Sequence, residues 1–300
     1  MSKEKIETGH CIKAQRNNME RKKVGIVGNG RYGAFLADFF RKRGCLVQVS
    51  DIATNPNNER VVKWADVVIV AVTLMKTVGV IKSLAPFFRP DQLLMDITST
   101  KVLPVKAMLK AYAEVVGLHP LCAPPKLGTF KGQTIFVNYA RVLGWKSWVD
   151  EFLLATEANI EEMSPKQHDL ERTVDQLLEH MCTYLKASVM RKLRLDSSKL
   201  FKVASPVYKL TAVQMARMFA QSAELYGGIP MSNPFALKTL RLFQKEFNRY
   251  VKRVRQSDMG SYRRDFLANQ KHIGSENLKT SLTFSEKLIV HMTQFSEKKH

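Results

Sequence analysis

Short runs rich in apolar residues punctuate the first half of the chain. Residues 24–27, 45–50, 66–72, 92–97, 115–118, 134–138 and 158–163 each fit a strand. The run at 66–72 is almost wholly Val, Ile and Ala, as strands buried on both faces tend to be. Between the runs, apolar residues fall at the three- and four-residue steps of amphipathic helices, at 31–43, 75–88, 102–112 and 146–155. Gly44 stops the first helix, Pro90 closes the second, and Pro104 belongs in the first turn of the third. Strands alternating with helices predict an α/β fold: a Rossmann-type, doubly wound parallel sheet covered on both faces. The pattern then changes. Ser164-Pro165 is a helix start, and Leu170, Val174, Leu177, Met181, Leu185 and Val189 recur at helical steps without a strand after them. Helical spacing continues through 211–225 and 235–254. The expected organisation is a flexible arm at 1–20, a Rossmann domain at 21–163 and an all-helical domain at 164–300.

Composition narrows the function classes. The 300 residues suffice for about two domains, and 45% hydrophobic with 25% charged residues is an ordinary globular balance. The N-terminus is polar, without the apolar core of a secretory signal, and the longest apolar run, 67–74, is far short of the about 20 residues of a membrane span. A cytoplasmic protein is expected. Cys11, Cys45, Cys122 and Cys182 form no CxxC pair, so neither a disulfide scaffold nor a metal site is suggested. The net charge of +20 fits a basic surface, a field that draws anionic substrates, or nucleic-acid binding. The basic residues are spread along the chain without a nucleic-acid module, so no specific nucleic-acid partner is expected.

Four motifs carry candidate chemistry. Gly28-Asn29-Gly30-Arg31-Tyr32-Gly33 is a complete G-x-G-x-x-G between a strand and a helix, where glycines let the backbone approach a pyrophosphate at a helix N-terminus. Asp51 ends the second strand, placed to accept from a ribose diol. No Arg or Lys follows it before Arg60, which favours NAD over NADP. Asp96-Ile97-Thr98-Ser99-Thr100-Lys101 follows another strand; alone, it reads as a helix cap through Thr98 or Ser99. Gly117-Leu118-His119-Pro120 also ends a strand. His119 has the chemistry of a general base, or of a histidine bonded into loop structure. The fourth runs from Met163 to Asp169 and continues to Thr173, Gln176 and His180, which share one face of a helix and could line a cleft or meet solvent.

Together, in this order, the motifs resemble the prephenate dehydrogenase family. The glycine motif, D-I-T-S-T-K, G-L-H-P and H-D…Q-L-L-E-H fall as they do there, and residues 205–226, beginning Ser205-Pro-Val-Tyr-Lys-Leu, are similar to the bacterial enteric branch. The resemblance implies NAD as cofactor, a homodimer through the helical half, and oxidative decarboxylation of prephenate to 4-hydroxyphenylpyruvate in tyrosine synthesis. It implies His119 as the catalytic histidine and Ser99 as the residue that orients it. Arg217 would grip a substrate carboxylate, with His180 and Gln176 near nicotinamide and substrate. The chain resembles the monofunctional form. It departs from the family where Leu121-Cys122-Ala123 lacks the glycine usual after His-Pro, and where Ser222-Ala223 replaces Asp-Pro. A positive φ at Ala123 would strain the loop. Alternatives are arogenate dehydrogenase and a catalytically silent NAD-binding regulator.

Overall fold

A computed structural model of the chain describes residues 21–51, 57–125 and 129–297, without the side chains of 201, 202 and 294–297. The expected arm at 1–20 lies outside them. Two compact units form: Met1–Gln176 with Gly227–Phe235, and Leu177–Tyr226 with Ala236–His300.

The first unit is built on a seven-stranded sheet of order β2-β1-β3-β4-β5-β6-β7. The strands are β1 (Lys23–Val27), β2 (Leu46–Ser50), β3 (Val67–Val70), β4 (Leu93–Asp96), β5 (Glu114–Pro120), β6 (Thr134–Arg141) and β7 (Asn159–Glu162). The first five pair in parallel and are joined by α1 (Arg31–Arg41), α2 (Asn58–Trp64), α3 (Leu74–Leu84) and α4 (Val102–Met108). Every side chain of β3 is buried, as its Val/Ile run requires. One face of the sheet packs Phe39 and Phe40 of α1 against Trp148 and Phe152 of α5 (Lys146–Ala155). Phe40 stacks on Trp148 at 5.9 Å and on Phe152 at 5.2 Å. The other face carries Val62, Ile81, Leu84, Val105 and Met108 from α2, α3 and α4.

Two features depart from the sequence expectation. Helix α2 was not anticipated; its 7 residues are too few for periodicity to register, although Asn57 caps it by accepting from Arg60 N at 2.9 Å. The sheet is also not wholly parallel. β6 runs antiparallel to β5, because no helix intervenes between them to carry the chain back across the sheet.

The first unit does not end where the composition changes. Helix α6 (Pro165–Arg172), capped by Ser164 as expected, stays with the sheet domain. Asp169 explains this: its carboxylate accepts from Lys101 N at 2.7 Å and Val102 N at 2.8 Å. The cap of α4 therefore comes from α6 and not from Thr98 or Ser99, the local residues that read as its cap. Thr98 is instead spent on Asp96, donating to it through both backbone N–H and hydroxyl.

The second unit is all helix. It includes α7 (Glu179–Lys192), α8 (Ser197–Val203), α9 (Pro206–Phe219), α11 (Ala236–Gln256), α12 (Met259–Ile273) and α13 (Ser275–Glu297); α10 (Ala223–Ser232) straddles the division between the units. The helix expected at 211–225 breaks after Phe219, and a second helix begins at Ala223. A π-helical turn, Thr173–Leu178, interrupts the helix expected to run on from Pro165. Its wider pitch rotates the residues after it, so Thr173, Gln176 and His180 lose the common α-helical face. The apolar stripe is also less covered than a core stripe: Leu177 is buried, whereas Leu170, Val174, Leu185 and Val189 are about half exposed or more.

Candidate active site

The order of the sheet reverses between β1 and β3, and open α/β sheets bind ligands at that point, beyond the carboxyl ends of their strands. The glycine motif occupies it. Gly28 has φ +110°, and a Cβ there would stand 2.6 Å from Ala71 O. At Gly33 a Cβ would meet Gly28 O at 1.9 Å, so the helix can begin against the turn only with glycine. Gly30, the N-cap of α1, has nothing within 4 Å of its Cβ position and makes no side-chain cap bond. The opening N–H groups of α1 thus face an open side with a favourable dipole end. Asp51 is held beside the turn, accepting from Asn29 N at 2.7 Å. These residues fit a dinucleotide: a tight turn, an open approach for pyrophosphate, and a carboxylate at the end of β2.

Further along the same edge, β4 and β5 end in Asp96 and His119-Pro120. Asp96 and Lys101 form an ion pair of 2.5 Å, fully buried on both sides. Lys101 Nζ also donates to Leu118 O at 2.5 Å, fixing the peptide just before His119. Gly117 makes room for it, since a Cβ there would lie 2.9 Å from Val105 and 3.3 Å from the Lys101 stem. Burial lowers the Lys101 ammonium's pKa, opposed by the neighbouring carboxylates Asp96 and Asp169.

His119 is buried, and its Nδ1 lies 2.9 Å from Nε2 of His168 on α6. His168 Nδ1 in turn lies 2.8 Å from Asp169 Oδ1. Among the described residues, Nε2 of His119 has no hydrogen-bond partner. Phe136 of β6 packs edge-on against His168 at 5.2 Å, and the Arg172 guanidinium lies 4.6 Å above the Phe136 ring. Arg172 pairs with Asp175 at 2.6 Å. Burial holds His119 well below the ordinary imidazole pKa, reinforced by the adjoining His168 ring whenever that ring is protonated and by the standing positive charge of Lys101 and Arg172. Burial also lowers His168, against the opposing pull of Asp169. Both rings are therefore neutral at pH 7, and His119 presents a neutral imidazole at the edge that receives the cofactor.

The other expected site residues stand as follows. Ser99 is half-buried in the bend after β4, while the ring partner of His119 is His168. Among the described residues Gln176 Oε1 and His180 Nδ1 are buried without a hydrogen-bond partner, and the His180 ring meets Tyr226 edge-on at 4.7 Å. Arg217 is exposed on α9, with no ion pair among the described residues. Ala123 is not at positive φ, so the loop without its glycine carries no backbone strain there. Tyr32 of the glycine motif donates its hydroxyl to Cys122 O and so ties that loop to α1.

His168, Asp169 and Lys101 lay in motifs read from the sequence without a functional assignment. The H-D pair on a capped helix was the available signal, but its partner is 49 residues away.

Fold and site define a class: a Rossmann-type nucleotide-binding domain with a histidine at its ligand edge, followed by an all-helical domain. Family profiles described as the nucleotide-binding domain and the dimerization domain of prephenate dehydrogenase match residues 35–144 and 164–268, and the chain belongs to the prephenate dehydrogenase family. It is 29% identical over 233 residues to the T-protein of Haemophilus influenzae, covering 77% of this chain and 62% of that protein. It is 30% identical over 247 residues to a probable arogenate/prephenate dehydrogenase of Methanocaldococcus jannaschii, covering 81% and 55%. The chain thus spans somewhat over half the length of these relatives. Its fold resembles the crystal structure of prephenate dehydrogenase from Aquifex aeolicus in complex with hydroxyphenyl propionate and NAD+, with TM-score 0.64, 18% identity, and 85% and 99% of the two chains covered. It also resembles Synechocystis arogenate dehydrogenase, with TM-score 0.63, 16% identity, and 82% and 96% covered. Among the described residues no helix is long and apolar enough to cross a membrane.

Proposed function

We propose that the chain is an NAD-dependent dehydrogenase that oxidises and decarboxylates prephenate to 4-hydroxyphenylpyruvate, with His119 as its base. The observation that carries this reading is the buried, neutral His119, whose Nδ1 is engaged and whose Nε2 has no partner among the described residues. The Gly28–Gly33 turn and the N-terminus of α1 hold the pyrophosphate, and Asp51 takes the ribose hydroxyls and repels a 2′-phosphate. Bound NAD supplies a hydride acceptor. His119 Nε2 takes the proton of the ring hydroxyl as hydride leaves the same carbon. The resulting dienone is a vinylogous β-keto acid. Its ring C–CO₂ bond breaks, the electron pair enters the ring, and the new phenolate recovers a proton from His119. One CO₂ and one NADH form per turnover, and aromatisation drives the step.

Arg217 is the proposed clamp for a substrate carboxylate, with a fork geometry suited to it and no competing ion pair among the described residues. Ser99, Gln176 and His180 are proposed as further substrate-side groups; the last two carry buried polar atoms without partners among the described residues. The half-exposed apolar residues Leu170, Val174, Leu185 and Val189 support a homodimer. The relatives' names include both prephenate and arogenate, so the test presents both substrates. NADH formation is followed with prephenate and arogenate, each with NAD and with NADP. The expected result is a higher kcat/KM with prephenate and NAD. Preference for arogenate would move the assignment to the sister reaction, and NADH from neither would overturn it.

A further inference from the structure

The proton positions along Asp169, His168 and His119 follow from their partners. Backbone N–H groups only donate, and the Asp169 carboxylate receives two of them, from Lys101 at 2.7 Å and Val102 at 2.8 Å. Both of its oxygens are thereby fixed as acceptors. His168 Nδ1, 2.8 Å from Oδ1, must then carry the hydrogen. A neutral His168 with hydrogen on Nδ1 has a lone pair on Nε2. That atom faces His119 Nδ1 at 2.9 Å, so His119 Nδ1 carries the hydrogen between the two rings. The lone pair of His119 is left on Nε2.

We propose that His168, anchored by Asp169, is a positioning residue that fixes His119 as the Nδ1–H tautomer and so directs its Nε2 lone pair outward as the base. The inference rests on the reading of His119 as the base. A ring nitrogen's hydrogen is set by the bond the other nitrogen makes. Here that control passes through a second imidazole instead of directly from a carboxylate. The surroundings keep the relay neutral. Lys101 and Arg172 face the pair with positive charge, and Phe136 closes its side. A proton added to His168 would put hydrogen on its Nε2, force His119 to accept at Nδ1, and place the His119 hydrogen on the working nitrogen. Protonation of His168 therefore switches the base off.

The test has two arms. In the first, ¹⁵N-histidine spectra of the full chain, with His119 assigned by its loss in His119→Asn, report which ring nitrogen carries hydrogen. The expected result near pH 7.5 is a protonated Nδ1 and an unprotonated Nε2; a hydrogen on Nε2 overturns the inference without recourse to any activity. In the second, His168→Leu is compared with His168→Gln, whose amide oxygen can still accept from His119. His168→Leu is expected to lower kcat by about 10²-fold, within the range a general base contributes, with KM values for NAD and prephenate within about threefold. His168→Gln is expected to recover most of the loss. Unchanged kcat in His168→Leu, or equal losses in both variants, overturns the positioning role. If the tautomer is as expected but His119→Asn turns over normally, the relay stands and the catalytic reading of His119 fails.

Discussion

Replacing Lys101 with methionine probes the structure beneath the site. The side chain is 2% exposed and its partner Asp96 is wholly buried. Methionine nearly conserves volume, so the change removes charge and hydrogen bonds more than packing. Asp96 keeps its two bonds from Thr98 but loses the one cation paired with it among the described residues, and Leu118 O loses the Lys101 donor. Breaking a buried pair from one side typically costs about 3–5 kcal/mol, because a charge remains in a low-dielectric interior. At about 2–4 °C per kcal/mol for a domain of this size, Tm should fall by about 6–20 °C. Differential scanning calorimetry of Lys101→Met beside Lys101→Met/Asp96→Asn separates charge from cavity. The double variant should regain more than half of the loss, since neutralising Asp96 removes the uncompensated charge. A single-variant Tm within about 2 °C of the parent, well short of the expected fall, or a double variant no better than the single, would refute the reasoning.

Three further outcomes follow from the geometry. Gly33→Ala should weaken NADH binding by at least about tenfold and lower Tm, because its Cβ meets backbone that cannot move aside. Gly30→Ala should weaken binding while leaving Tm unchanged, because its Cβ position is open; fluorescence titration with melting curves checks both, and intact affinity in either would contradict the phosphate cradle. Arg217→Lys should raise KM for prephenate about tenfold or more and leave KM for NAD within a few-fold, since lysine keeps the charge but not the fork. Light scattering at micromolar concentration should give twice the 34.2 kDa chain mass, and a clean monomer would contradict the proposed use of the exposed stripe.

Much of the first unit was legible in the sequence because its signals are local. The Val/Ile runs mark buried strands, and the glycine turn is a sterically constrained motif of six consecutive residues, with Gly28 and Gly33 both in contact with backbone. The all-helical second half was legible from its three- and four-residue spacing. What escaped was set by distant partners. No periodicity announces that Asp169 caps a helix more than sixty residues earlier, or that His168 seats against His119. The antiparallel β6 carries the same apolar signature as a parallel strand. The π turn at Thr173–Leu178 and the break after Phe219 leave the apolar spacing nearly intact, so each segment reads as one continuous α-helix in the sequence.

The central claim is that His119 supplies the base for oxidation by a bound nicotinamide cofactor. Steady-state kinetics of His119→Asn against the parent, over pH 5 to 9, test it most directly. In the parent, burial and nearby positive charge favour the neutral ring, so kcat/KM should stay level down through about pH 6.5, the ordinary imidazole value. It should fall only at lower pH, as His119 takes up its proton. Stability has the same sign: the unfolded chain protonates first, so the contribution of the buried neutral ring is complete above about pH 6.5 and lost as pH falls toward the folded value. In His119→Asn, kcat should drop about 10²–10⁴-fold, the acid limb should vanish, and NADH should bind as tightly as to the parent. A variant that turns over at near-parent kcat, with the acid limb still present, would contradict the account.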